Sequence, residues 1–233
     1  MLTKLIKKAK MLFDFFLIYS IPKNKESVVR NFHKLYYESR NLGGTWTNNK
    51  YFGLPVQKCP LDLFVYQEIV FEKKPDVIIE CGTAYGGTAL YLAHILDNLG
   101  FGKIITIDNQ DFPNRPKHAR INYILGSSTD EVIVAKVKEL VGDSKRVMVI
   151  LDSDHRMAHV AQELVLYAPM VSSNQYLIVE DTNVNANPVC PEHGPGPKEA
   201  LDAFDILGSG FTVDTARENA YLTFNPGGYL LKS

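Results

Sequence analysis

From position 61 onward, short β-branched runs alternate with apolar positions at helical spacing. Helices are predicted over Leu61–Phe71, Thr88–Leu99, Glu131–Val141, His159–Tyr167 and Pro197–Phe204. Strands are predicted over Val77–Glu80, Lys103–Ile107, Ile121–Leu125, Val147–Leu151 and Tyr176–Val179. Phe211–Asp214 and Tyr221–Phe224 read as a closing antiparallel pair, with Asn225–Tyr229 as a structural turn. Short apolar strands separated by helices predict an α/β fold: a doubly wound, mostly parallel sheet covered on both faces, with an antiparallel C-terminal strand.

The first sixty residues follow another pattern. Leu2, Leu5, Ile6, Ala9, Leu12, Phe13, Phe16 and Leu17 share one helical face, beside Lys4, Lys7, Lys8 and Lys10. The apolar run Met11–Ile21 is interrupted by Asp14 and lacks a small-residue cleavage site, which argues against a signal peptide. It is too short to span a bilayer. Two readings stay open: a helix packed on the body or on a neighbouring subunit, or a basic surface helix touching anionic lipid weakly. Ser27–Arg40 reads as a second helix, so residues 1–41 form a helical extension. Residues 42–60 are loop-like, with Gly43-Gly44, Asn48-Asn49 and the aromatics Trp46, Tyr51 and Phe52, either core plugs or a lid. Residues 61–233 form the α/β domain.

Composition narrows the functional class. With 25 basic and 26 acidic side chains, the net charge of −1 gives no general attraction to nucleic acid. Three dispersed cysteines, Cys59, Cys81 and Cys190, argue against disulfides and structural zinc and favour a reducing, cytoplasmic setting.

Candidate chemistry gathers at the carboxyl ends of the predicted strands. Glu80-Cys-Gly82-Thr83-Ala-Tyr-Gly86-Gly87-Thr88 forms a strand-to-helix turn whose glycines permit close approach of a ligand. It is neither GxGxxG nor a P-loop. Asp108 ends the next strand, where a carboxylate either accepts two ribose hydroxyls or simply caps a loop. Ser127 and Ser128 could line an adenine pocket or cap the following helix. Asp152, Asp154 and His155 end one central strand, and Glu180 and Asp181 end another. Carboxylates converging without basic neighbours call for a hard divalent cation, with Asp154, Glu180 and Asp181 as ligands. The alternative makes them loop and helix caps. His155, or Asp154 beside it, is a candidate proton acceptor, although a lone histidine is often structural.

Taken together, Lys58-Cys-Pro-Leu-Asp62, Tyr66-Gln-Glu68, Glu80-Cys-Gly82-Thr83, Leu151-Asp-Ser-Asp154-His155, Val179-Glu-Asp-Thr-Asn183, Gly194-Pro-Gly-Pro197 and Asn225-Pro-Gly-Gly-Tyr229 resemble the cephalosporin hydroxylase/rhamnosyl O-methyltransferase family. That family belongs to the class I S-adenosylmethionine-dependent methyltransferases. The resemblance covers roughly residues 45–230 and implies a Rossmann-like sheet. It implies S-adenosylmethionine held at Glu80, Gly82 and Asp108, with Thr83, Gly86, Thr88, Ser127, Ser128 and Asp152 lining the site. It also implies Mg²⁺ at Asp154, Glu180 and Asp181. The expected activity is Mg²⁺-dependent O-methylation of a small-molecule or glycan hydroxyl, by a cytoplasmic homo-oligomer that does not bind nucleic acid. A metal-dependent hydroxylase and a catalytically silent cofactor-fold protein are the alternatives.

Overall fold

The computed structural model describes residues 2–233, apart from the side chains at positions 18 and 19. Met1, the first residue of the expected extension, lies outside them. Two long helices, α1 (Leu2–Ser20) and α2 (Pro22–Glu38), lead into a short hairpin of β1 (Lys50–Tyr51) and β2 (Leu54–Pro55). Then follow α3 (Pro60–Lys73), β3 (Val77–Cys81), α4 (Gly87–Leu99), β4 (Lys103–Asp108), β5 (Ile121–Leu125) and α5 (Glu131–Val141). The remainder is β6 (Val147–Leu151), α6 (Met157–Tyr167), β7 (Tyr176–Val179), α7 (Pro197–Ala203), β8 (Phe211–Val213) and β9 (Tyr229–Lys232).

The seven-stranded sheet has the order β5-β4-β3-β6-β7-β9-β8. Its strands run parallel except β9, which pairs antiparallel with both β7 and β8. This is the doubly wound arrangement expected, with one correction. Tyr221–Phe224 is irregular, and the reversed strand is Tyr229–Lys232. The 221–224 segment instead turns inward: Phe224 N donates to buried Asp62 Oδ2 at 2.8 Å, and Leu222 and Phe224 are buried.

Every residue of β3 and of β6 is buried, because helices cover both sheet faces. One face carries Val77, Ile79, Val147, Val149 and Leu177 against α5 and α6, and the other carries Ile78, Ile104, Met148 and Ile150 against α3 and α4. Since β4 and β6 lie on opposite sides of β3, the strand order switches direction beside β3. Crevices of this kind open at the carboxyl edge of such sheets. By contrast, every described side chain of α1 except half-buried Leu17 is exposed, and no described helix is long and apolar enough to cross a membrane.

Candidate active site

Two adjoining cavities occupy the carboxyl edge of β3, β4, β5 and β6. The larger, about 370 Å³, lies between the β3–α4 turn and the 37–58 segment. The smaller, about 210 Å³, lies between the ends of β4, β5 and β6. Gly82, Asp108, Asn109 and Ser153 line both, which makes them two arms of one site.

The β3–α4 turn is built on close backbone packing. Gly82 has φ +100°, and a Cβ there would stand 1.9 Å from Asp152 carbonyl oxygen, so no side chain fits. Thr83 Oγ1 bonds Thr106 Oγ1 at 2.6 Å, and Ala84 N donates to Asp108 Oδ2 at 2.7 Å. Thr83 and Thr88 line the larger arm with Gly82, as the glycine turn suggested. Gly86 supplies the left-handed start of α4, and the neighbouring Gly87 faces the cavity instead. Glu80 departs from its assignment. It is fully buried between strands, accepts from Thr106 Oγ1 at 2.5 Å and is absent from both cavity walls. Burial pushes its carboxyl up to about 8.

Asp108 stands at the junction of the two arms. Its oxygens accept from Ala84 N and, at 2.8 Å, from Gln110 N, and Arg115 lies 3.3 Å away. Each carboxylate oxygen keeps a lone pair for a ligand. Ser127 and Ser128 line the smaller arm, while the α5 cap is Asp130, which accepts from Val132 N.

The acidic residues divide differently from the sequence reading. Asp152, His155 and Asp181 each offer a ligand atom, all within 4.8 Å of one another. His155 Nε2 lies 3.4 Å from Asp181 Oδ2. Asp181 reaches this position because its backbone takes a positive φ of 52° immediately beyond β7, which aims its side chain away from that of Glu180. Glu180 is buried and taken up by Lys58 and by Tyr66 Oη at 2.5 Å. Asp154 turns toward solvent, pairs with Arg156 and lines the smaller arm, not the cluster. That pairing holds its carboxyl down at about 2. In this geometry the atoms placed to hold a metal ion belong to Asp152, His155 and Asp181, while Glu180 is engaged by Lys58 and Asp154 by Arg156.

Lys58 is the functional residue the sequence reading passed over. Its buried ammonium contacts Asp152 Oδ2 at 2.5 Å and also Glu180. Burial alone would lower its pKa, but these two carboxylates outweigh burial and raise it. The same burial raises Asp152, Glu180 and Asp181 against the pull of Lys58 and His155. Three crowded carboxylates thus share one ammonium, and the residual negative charge suits a hard divalent cation. His155 is raised as well: Asp181, Asp152 and Glu180 outweigh the effect of its burial. An isolated lysine five residues after Gly53, within the Lys58-Cys-Pro motif, gave no signal of where its side chain points.

The outer wall of the larger arm carries Tyr37, Arg40, Trp46, Tyr85 and Phe112. Trp46 unites its two expected roles. Its ring packs 5.5 Å from Phe224 in the interior, its Nε1 donates to Tyr37 O, and it lines the cavity.

Comparison with known proteins adds to this geometry. Residues 43–233 match the family Rhamnosyl O-methyltransferase/CmcI. The chain is 38% identical over 215 residues to a rhamnosyl O-methyltransferase of Mycobacterium tuberculosis, covering 89% of this chain and 86% of that one. It is 32% identical over 218 residues to the protein of the same name from Mycobacterium leprae, covering 91% and 93%. Among solved structures, a CmcI structure designated Mg-SAM superposes with TM-score 0.62 at 20% identity, covering 82% of this chain and 78% of that one. A CmcI structure designated SAH gives TM-score 0.57 at 19% identity, covering 81% and 84%. At such identities the two superpositions establish the shared fold.

Proposed function

Since the chain belongs to the rhamnosyl O-methyltransferase/CmcI family, we propose that it transfers a methyl group from S-adenosylmethionine to a sugar hydroxyl, assisted by Mg²⁺. The observation that carries this reading is the shared wall of the two arms. Asp108, able to accept ribose hydroxyls, lies between a smaller arm sized for a base and a larger arm that ends on Asp152, His155 and Asp181.

The residues fit both groups. Gly82, Thr83, Gly87 and Thr88 would hold the amino-acid portion of the cofactor, Asp108 its ribose, and Gly126, Ser127 and Ser128 its base. Asp152 and Asp181 would hold the cation, because hard cations prefer oxygen donors to an imidazole. When bound, the sulfonium supplies an electrophilic methyl and the cation stabilises negative charge on an acceptor oxygen.

The chain's own groups do the rest. His155 Nε2, beside Asp181, accepts the hydroxyl proton, and Asp181 stabilises the imidazolium that results. Lys58 works against the burial that raises Asp152 and Glu180, and it fixes the Asp152 side chain. Trp46, Tyr37, Tyr85 and Phe112 present ring faces that complement the apolar C–H face of a pyranose and exclude water. These aromatics share the larger arm with Asp152, His155 and Asp181, so an acceptor bound there would lie beside them.

The acceptor in this reading is a sugar of a glycolipid, polysaccharide or glycosylated metabolite, and the enzyme is a cytoplasmic homo-oligomer. On α1, the apolar arc of Leu2, Leu5, Ile6, Leu12, Phe13 and Phe16 is exposed, and Lys4, Lys7, Lys8 and Lys10 occupy the opposite arc. That division of charge and apolar surface supports a weak peripheral contact with anionic lipid. The test of function is transfer of labelled methyl from S-adenosylmethionine to a rhamnose-terminated glycolipid, with and without EDTA. Absence of transfer to every glycan acceptor would overturn the substrate class, and full transfer in EDTA would overturn the cation's role.

A further inference from the structure

Glu163 lies fully buried on α6, behind the smaller arm of the site. Its Oε1 accepts from Ser128 Oγ at 2.5 Å and from Ser153 Oγ at 2.6 Å. Both serines line that arm, one after β5 and the other after β6. Its Oε2 faces the interior, where the Cys81 thiol, a weak donor, is its neighbour. One helical turn earlier, His159 Nε2 stands 3.1 Å from Ser128 Oγ.

A hydroxyl has one proton, and in both contacts the serine Oγ is the donor and Glu163 Oε1 the acceptor. The protons of Ser128 and Ser153 are therefore both directed inward, to Glu163. The Ser128–His159 contact then requires the hydrogen to sit on His159 Nε2. Toward the cavity, the two hydroxyls can offer only lone pairs. On the same wall Arg156 Nε and Nη2 are turned to Asp154, and His159 Nε2 stands between Ser128 Oγ and Glu163 Oε1, 3.1 and 3.5 Å away. Asp154 is itself acceptor-only. These two hydroxyls are thus suited to a base edge that donates.

We propose that Glu163 sets the hydrogen-bond polarity of this arm, holding Ser128 and Ser153 as acceptors for an exocyclic amino group and so selecting adenine over a 6-oxo purine. Glu163 touches no ligand; it is a positioning residue acting through the two serines. This inference rests on the nucleoside reading of the smaller arm given above. A carbonyl in place of the amino group would set acceptor against acceptor, leaving buried groups unpaired on both sides.

The experiment is calorimetric titration of the full chain with S-adenosylhomocysteine and with its deaminated analogue, S-inosylhomocysteine. The unaltered chain should prefer the adenosyl ligand by roughly tenfold to a hundredfold. Glu163→Gln should keep that preference, because an amide oxygen can accept the same two hydroxyls. Glu163→Met frees both protons to turn toward the cavity, and the preference should fall to within about threefold. Ser128→Ala should also reduce it, and that variant keeps the folded core intact if the methionine variant fails to fold. A purely structural Glu163 would weaken both ligands by one common factor. Equal binding of the two ligands by the unaltered chain would overturn the inference. So would an unchanged preference in Ser128→Ala and in a folded Glu163→Met. Binding of neither ligand would overturn the nucleoside reading, and this inference with it.

Discussion

Lys58 Nζ lies 2.5 Å from Asp152 Oδ2, joining the segment ahead of α3 to the carboxyl end of β6 through a buried ion pair. The same ammonium also meets Glu180, so its removal leaves two carboxylates without a buried counter-charge. Lys58→Met should lower unfolding free energy by about 3–5 kcal/mol in the absence of divalent cation. Mg²⁺ should then raise the melting temperature of the variant more than that of the unaltered protein, because it replaces the missing charge. Thermal unfolding with EDTA and with Mg²⁺ measures both effects. Equal Mg²⁺ shifts in the two proteins would contradict a cation beside Asp152.

The two aspartates that follow β6 should separate cleanly. Asp152→Asn and Asp181→Asn are expected to lower turnover by about a hundredfold or more and to weaken Mg²⁺ activation. Asp154→Asn, whose partner Arg156 has an 80% exposed side chain, should change turnover by less than about threefold. Methyl-transfer rates over a Mg²⁺ titration decide between them. An inactive Asp154→Asn with an active Asp152→Asn would restore the assignment read from the sequence.

Asp108→Asn should weaken S-adenosylhomocysteine binding by about 1–3 kcal/mol, since a charge-assisted contact becomes a neutral one. Saturating cofactor should recover most of the turnover, because the role proposed for Asp108 is separate from the proton transfer proposed for His155. Calorimetry and a cofactor saturation curve are the measurements. Unaltered affinity would displace the ribose from the junction of the two arms.

Acid stability should depend on His33, which is buried beside Asn183 and whose pKa is lowered to about 4 by that burial. The unfolded chain binds the proton near pH 6.5 and the folded chain does so only near pH 4. The contribution of His33 is therefore complete above pH 6.5 and is lost as pH falls through 4, amounting to about 2–3 kcal/mol. Asp62 acts in the opposite direction, because burial raises it to about 7 and its contribution is lost as pH rises. Comparing urea unfolding of the unaltered chain and His33→Gln from pH 7 to 4 isolates the histidine. Parallel profiles would remove it as the cause.

Attachment to lipid should be weak and electrostatic. The full chain is expected to sediment with vesicles containing phosphatidylglycerol at low salt and to be released at high salt, each lysine contributing about 1 kcal/mol. Replacing Lys4, Lys7, Lys8 and Lys10 with Gln should abolish sedimentation without changing transfer to a soluble acceptor. Binding that persists at high salt would argue for insertion instead.

The alternation of apolar runs was enough to reveal the sheet, because strands buried on both faces carry apolar residues in nearly every position, as in Val77–Cys81 and Val147–Leu151. It failed at Tyr221–Phe224. Leu222 and Phe224 there are buried, Phe224 against Tyr37 and Trp46 with its N–H on Asp62, and sequence pattern alone does not distinguish a strand from such a plug. The positions of the carboxylates were legible to the level of strand ends and no further. Asp152 and Asp154 are two residues apart, and the choice between them depends on a local turn in which Asp154 accepts from Arg156 N. Asp181 depends on a single left-handed backbone residue. Lys58 was invisible as a partner because its carboxylates lie far away in sequence.

The contact between Gly82 and the carbonyl of Asp152 has a consequence for how such an enzyme can diversify. With backbone resting on backbone, the separation between donor arm and cation ligands is set by two strands of the sheet, not by adjustable rotamers. The interval a methyl group must cross is therefore a fixed gauge of the scaffold. Changes in the 37–58 segment can reshape the aromatic wall for a different sugar while leaving that gauge unaltered, so acceptor choice and reaction distance are inherited separately.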